Sequence, residues 1–144
     1  SRHEGTIAAW VKPDASAVNT VLTIFAASDT TASSVETRFF ICNQCGGFPH
    51  GGLVYGTRGS STPGNTVSSG ANLLDGKWHH VAVTVDGTNS VQLYIDGIPN
   101  GAGTGGFFGD LSAVNSMAIG RNKDSTSGGG QWFYQGLIDD IRIY

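Results

Sequence analysis

Charge is what this chain has least of: only 13% of its 144 residues are Asp, Glu, Lys or Arg, about half the share usual in soluble proteins. The 8 basic residues are scattered and the net charge is −3. Without a Lys/Arg run to neutralise phosphates, neither nucleic acid nor an anionic membrane is an expected partner. No apolar run approaches the roughly 18 residues that a membrane-crossing helix needs. Ser1-Arg2-His3-Glu4 leads directly into a predicted strand, without the pattern of a signal peptide. Helical amphipathic periodicity is missing too, which removes helix-rich folds from consideration.

Cysteine is nearly absent, and both copies lie in Cys42-Asn43-Gln44-Cys45. A zinc half-site would need further ligands, and no second CxxC or HxxxH exists. A redox-active pair normally opens a helix, which Gly46-Gly47 opposes. A local disulfide or a reduced structural pair remains; the disulfide is the expectation, because the rest of the chain has an extracellular character.

What is present is a period of two. With 39% hydrophobic residues there is enough apolar material for one packed core. Val81, Val83 and Val85 share a face with His79, and Val91, Leu93 and Ile95 repeat the pattern after a turn at 86–90. Asp96-Gly97 is a two-residue hairpin signal, since both residues tolerate positive φ. Further strands are expected at 6–11, 21–25, 38–42, 53–57, 117–120 and 133–144, with polar loops at 43–51, 58–70, 99–110 and 121–131. Twenty-two glycines punctuate the strands, and many short strands without helices predict two stacked antiparallel sheets. Gly101, Gly103 and Gly106 spell GxGxxG, but a hairpin precedes them and no helix follows to hold a pyrophosphate, so a flexible loop is expected.

Several strings resemble the laminin-G-like, concanavalin A-like lectin/glucanase jelly rolls. These are Gly5-Thr6-Ile7-Ala8-Ala9-Trp10-Val11-Lys12-Pro13, Asp75-Gly76-Lys77-Trp78-His79-His80-Val81-Ala82-Val83-Thr84, Tyr94-Ile95-Asp96-Gly97, Ala118-Ile119-Gly120 and Gly136-Leu137-Ile138-Asp139-Asp140-Ile141-Arg142-Ile143-Tyr144. They span nearly the whole chain in the family's order. The resemblance implies an all-β, two-sheet antiparallel β-sandwich occupying 1–144 as a single domain. Family members usually carry a strand before the first of these strings, so the resemblance also implies a segment of a larger protein.

Some proteins of this fold cleave polysaccharides, with acidic residues at alternating strand positions and a retaining pair about 5 Å apart. Here the only glutamates are Glu4 and Glu36, and no acidic residue recurs at i, i+2. Asp139 and Asp140 are adjacent, so they point to opposite faces of a strand. GxSxG and HExxH are both missing. The expectation is a domain that is not an enzyme. His79-His80 reads as a structural strand start rather than a metal or base site, and Trp10 and Trp78 as core aromatics.

Asp139 shares parity with Leu137, Ile141 and Ile143, which predicts a buried carboxylate that must be paired or bound to a cation. The resemblance implies a structural calcium ion there; the alternative is a pair with Arg2, His3 or backbone N–H groups. For a sugar, the loop of Arg121, Asn122, Asp124, Gln131 and Trp132 offers planar hydrogen-bonding groups and one aromatic face. Trp132 is expected to be either a stacking platform or a plug over the sandwich end. Arg38, Asn43 and Tyr55 are further candidates from neighbouring strands. The leading expectation is a carbohydrate-binding, lectin-like module of a secreted multidomain protein, with a glycan and the parent chain's neighbouring domains as partners. An adhesion domain that recognises protein is the alternative, and a polysaccharide-degrading domain comes third.

Overall fold

A computed structural model describes residues 4–18, 20–31, 36–59, 62–107, 114–122 and 132–144. The described residues form ten strands: β1 (Gly5–Pro13), β2 (Val21–Ser28), β3 (Glu36–Cys42), β4 (Leu53–Gly59), β5 (Thr62–Ser68), β6 (His79–Val85), β7 (Ser90–Ile95), β8 (Ile98–Thr104), β9 (Ser116–Ile119) and β10 (Gly136–Ile143). They make two five-stranded antiparallel sheets. The first runs β10-β1-β6-β7-β8 and the second β5-β4-β3-β2-β9. This is the expected all-β sandwich.

The alternation read from the sequence explains the core. Ile7, Ala9 and Val11 of β1, Val81, Val83 and Val85 of β6, and Val91 and Leu93 of β7 face inward from the first sheet. Leu22, Ile24, Phe39, Ile41, Leu53 and Tyr55 meet them from the second. Each such side chain contributes roughly 1.5–3 kcal/mol by leaving water. Asp96 and Gly97 join β7 to β8 with φ of 52° and 79°, the left-handed pair that a two-residue hairpin requires. The turn at 86–90 is held by the Asp86 carboxylate, which accepts from the Thr88 and Ser90 N–H groups and the Thr88 hydroxyl.

Two strands lie where polar loops were expected. β5 falls within 58–70, and all of β8 but its first residue within 99–110. Both are edge strands, so each is held by a ladder to one neighbour, and neither needs an apolar repeat. Glycine serves a packing purpose there: a Cβ at Gly103 would meet Val67 Cγ2 at 2.7 Å, and one at Gly101 would meet the Ser68 carbonyl. Gly101 and Gly103 are therefore the contact between β8 and β5 that closes one side of the sandwich, and the flexible-loop reading is corrected.

β10 departs from simple alternation. Its register with β1 jumps between Ala8 and Trp10, and Asp140 adopts φ of 48°. The extra residue in this bulge flips the parity midway. Ile138 and Ile141 pack against the core, while Leu137 and Asp139 are exposed.

Candidate functional site

On β3, Glu36, Arg38, Phe40 and Cys42 point away from the core, because Phe39 and Ile41 point into it. Arg38 pairs with Ala26 on β2 and Gly56 on β4, and Ala118 and Thr66 lie beyond them. The one long cationic side chain of this row thus lies on the outer face of the second sheet, directly between the small residues Ala26 and Gly56.

The arginine is fixed on two sides. Its Nη2 lies 2.9 Å from Glu36 Oε1, and its guanidinium carbon sits 4.9 Å from the ring centre of Trp132 and 5.6 Å from that of Phe40. Guanidinium-on-indole contacts of this kind are favourable and orient the planar fork. Arg58, directly opposite Glu36, brings Nε to 3.4 Å from the same carboxylate oxygen. Among the described residues this cluster sets two guanidinium groups against one carboxylate. Only 4% of the Glu36 side chain and 16% of the Arg38 side chain are exposed, so these charges interact more strongly than a surface pair would.

Beside this group lies an apolar patch of Val21, Phe40, Cys42 and Val54, with Cys45, Phe48 and Trp132 packed onto it. Cys42 and Cys45 are disulfide-bonded. Trp132 is held at φ of 62°, a costly conformation for a bulky residue that only strong local contacts maintain. Several buried polar atoms, Glu36 Oε2, Thr23 Oγ1 and both amide atoms of Asn122, have no hydrogen-bond partner among the described residues.

Of the residues singled out from the sequence, Arg38 and Trp132 come together, although a whole sandwich of chain separates them. Asn122 is wholly buried and Arg121 exposed, while Asp124 and Gln131 lie outside the described residues. Asn43 instead donates its Nδ2–H to Ala17 O and lines a separate polar hollow with Gln44 and His50. Tyr55 is a correction: it is 1% exposed, packs in the core and donates its hydroxyl to Gly106 O. Its partner Phe39 also faces inward, which places Tyr55 on the wrong side for a ligand. Glu36 and Arg58 were missed. The signal was Glu36-Thr37-Arg38, a carboxylate and a guanidinium at i, i+2 and hence on one face.

Two further expectations are overturned on the first sheet. Trp10 and Trp78 are 43% and 42% exposed, not core aromatics; Trp10 alternates with the inward-facing Ala9 and Val11. Asp139 is exposed as well, because the bulge in β10 reverses its parity. It lies in a shallow hollow with Trp10 and Trp78. A calcium ion takes six to eight oxygen ligands, and no cluster of three metal-binding side chains occurs among the described residues. Among the described residues, no set of side chains beside Asp139 supplies such a site. Asp139→Ala is therefore expected to change unfolding free energy by no more than about 0.5 kcal/mol, and added chelator should not lower the melting temperature.

His79 does have a structural role. Nδ1 lies 2.8 Å from Asp96 Oδ2 and Nε2 3.0 Å from Asp75 Oδ1, so the ring ties the hairpin turn to the segment before β6. Burial opposes its charge, but the hydrogen bonds to Asp96 and Asp75 outweigh that and raise its pKa above the usual histidine value. A raised folded-state pKa stabilises the fold below the unfolded value and loses that contribution as pH rises through the folded one. Denaturant unfolding should thus show greater stability near pH 6 than near pH 8.5, and His79→Gln should flatten that difference.

Among the described residues, ten strands in two stacked antiparallel sheets define a jelly-roll β-sandwich domain. A family model, the concanavalin A-like lectin/glucanases superfamily, matches residues 1–144, and the chain belongs to that superfamily. No curated protein sequence matches it significantly. Among solved structures it is similar to the CBM40 domain of Ruminococcus gnavus IT-sialidase bound to α2,3-sialyllactose, with a TM-score of 0.81, 18% identity and coverage of 99% of this chain and 76% of that one. The leech intramolecular trans-sialidase, complexed with 2,7-anhydro-Neu5Ac, gives a TM-score of 0.77 at 20% identity, over 99% of this chain but only 21% of that one. A heptameric SAP-like pentraxin from Limulus polyphemus gives 0.61 at 17% identity, covering 98% and 63%. At these identities the likenesses show a shared fold.

Proposed function

We propose that this chain is a non-catalytic carbohydrate-binding module whose ligand is an acidic sugar of the sialic acid type, held on the outer face of the second sheet. The observation that carries the reading is Arg38, fixed by Glu36 and Trp132 between the small residues Ala26 and Gly56 and accompanied by Arg58. A guanidinium presented in this way matches a carboxylate with two parallel hydrogen bonds. The apolar patch around Phe48 and Trp132 suits an acetyl methyl group. The sialyllactose-bound CBM40 of similar fold supports the same ligand class.

The scarcity of glutamate and the absence of an i, i+2 acidic pair support binding without turnover. The disulfide supports an extracellular setting, and the leech trans-sialidase, of which this fold is about a fifth, supports a module joined to neighbouring domains. Titration calorimetry with N-acetylneuraminic acid and 3′-sialyllactose tests the reading. We expect dissociation constants in the micromolar to millimolar range, about −8 to −4 kcal/mol, with no release of free sugar. No heat of binding from either ligand at millimolar protein-accessible concentrations would overturn it.

A further inference from the structure

We infer that the outer face of the first sheet carries a second saccharide subsite, where Trp10 and Trp78 stack a neutral pyranose and Asp139 accepts its hydroxyl hydrogens. The two faces belong to opposite sheets, so the subsites would point in opposite directions and be occupied independently.

Leaving two indoles more than two-fifths exposed side by side forfeits much of the burial that tryptophan offers, and clustered exposed aromatics mark recognition surfaces. With Asp139 they line a hollow of about 350 Å³, the scale of one or two sugar rings. The geometry is built rather than incidental. Asp139, Trp10 and His80 form one row across β10, β1 and β6. The His80 ring meets Trp10 edge-on at 5.3 Å and braces the indole. The β10 bulge turns Asp139 outward into the same hollow, and bulges commonly re-aim a side chain beside a site. Asp139 Oδ1 accepts the Asp140 N–H at 2.8 Å, which fixes the carboxylate, while Oδ2 accepts no hydrogen bond from the described residues.

The charge selects the ligand. Among the described residues that line the hollow, the one charged side chain is the Asp139 carboxylate, and the nearby Arg142 is taken up by a two-pronged pair with Asp140. An anionic sugar is repelled here, in contrast to the Arg38 site. A quaternary ammonium group would need an enclosing aromatic cage, whereas this hollow is open and suits a flat ring.

The chain has three tryptophans, so its indole N–H signals in a ¹⁵N-labelled sample report on each face separately once single Trp→Phe variants assign them. Lactose and cellotriose should move the Trp10 and Trp78 signals and leave Trp132 in place. Free N-acetylneuraminic acid should leave Trp10 and Trp78 unmoved. Trp78→Phe is expected to weaken the neutral sugar roughly threefold and Trp78→Ala roughly tenfold. Asp139→Asn, on an exposed residue, should weaken it without altering the melting temperature. The inference is overturned if neither sugar moves Trp10 or Trp78, if Trp132 alone responds, or if choline chloride moves those two signals and the sugars do not.

Discussion

Arg38→Ala is expected to weaken N-acetylneuraminic acid binding at least about a hundredfold, because a desolvated, two-pronged contact to a carboxylate is worth roughly 3 kcal/mol. The substitution also takes one partner from the Glu36 carboxylate, which keeps Arg58. Arg38→Lys separates the two effects. It retains a positive charge for Glu36 but loses the planar fork and its stacking against Trp132, so the fold should melt nearly as the parent does while binding falls roughly tenfold or more. Calorimetry of both variants, beside their melting curves, checks this. If Arg38→Lys binds like the parent, the carboxylate of the sugar does not rest on Arg38.

Gly101→Ala should be the most damaging of the glycine substitutions in β8, at about 3 kcal/mol, or a fall of roughly 10 °C in melting temperature. Gly101 adopts φ of 112°, and an added Cβ would stand 2.5 Å from the backbone oxygen of Ser68 in β5. Neither the strained backbone nor the opposing strand offers a side chain that can swing aside. Gly97, at φ of 79° with open space around it, is the control. There alanine pays only the conformational penalty, about 1 kcal/mol. Equal losses at the two positions would show that the β5–β8 contact does not close the sandwich as described.

Much of the fold was legible because it rests on local pattern. The alternation of Val81, Val83 and Val85 and of Val91, Leu93 and Ile95 marks one buried face, and Asp96-Gly97 encodes its turn within two residues. The polar edges were not legible in this way. β5 and β8 each bond to a single neighbour, and β8 buries little, so the Gly, Pro, Asn and Thr of these edges carry no periodic signal. Arg38 and Trp132 could each be nominated from the sequence, but Tyr55 was placed on the wrong face and Glu36 and Arg58 were not recognised.

By itself the sequence determined a β-sandwich of the concanavalin A-like superfamily, its principal core residues, and a chemistry poor in acids and nucleophiles. Only the tertiary structure decided which side chains meet. The pairing of Glu36 with Arg58 and the approach of Trp132 to Arg38 depend on register between segments distant in the chain. The bulge in β10 reversed the side that Asp139 faces, moving it from an expected buried site to an open hollow beside Trp10 and Trp78. The physical reason is the two-residue period of a strand: one inserted residue exchanges inside for outside, and no local composition announces the insertion.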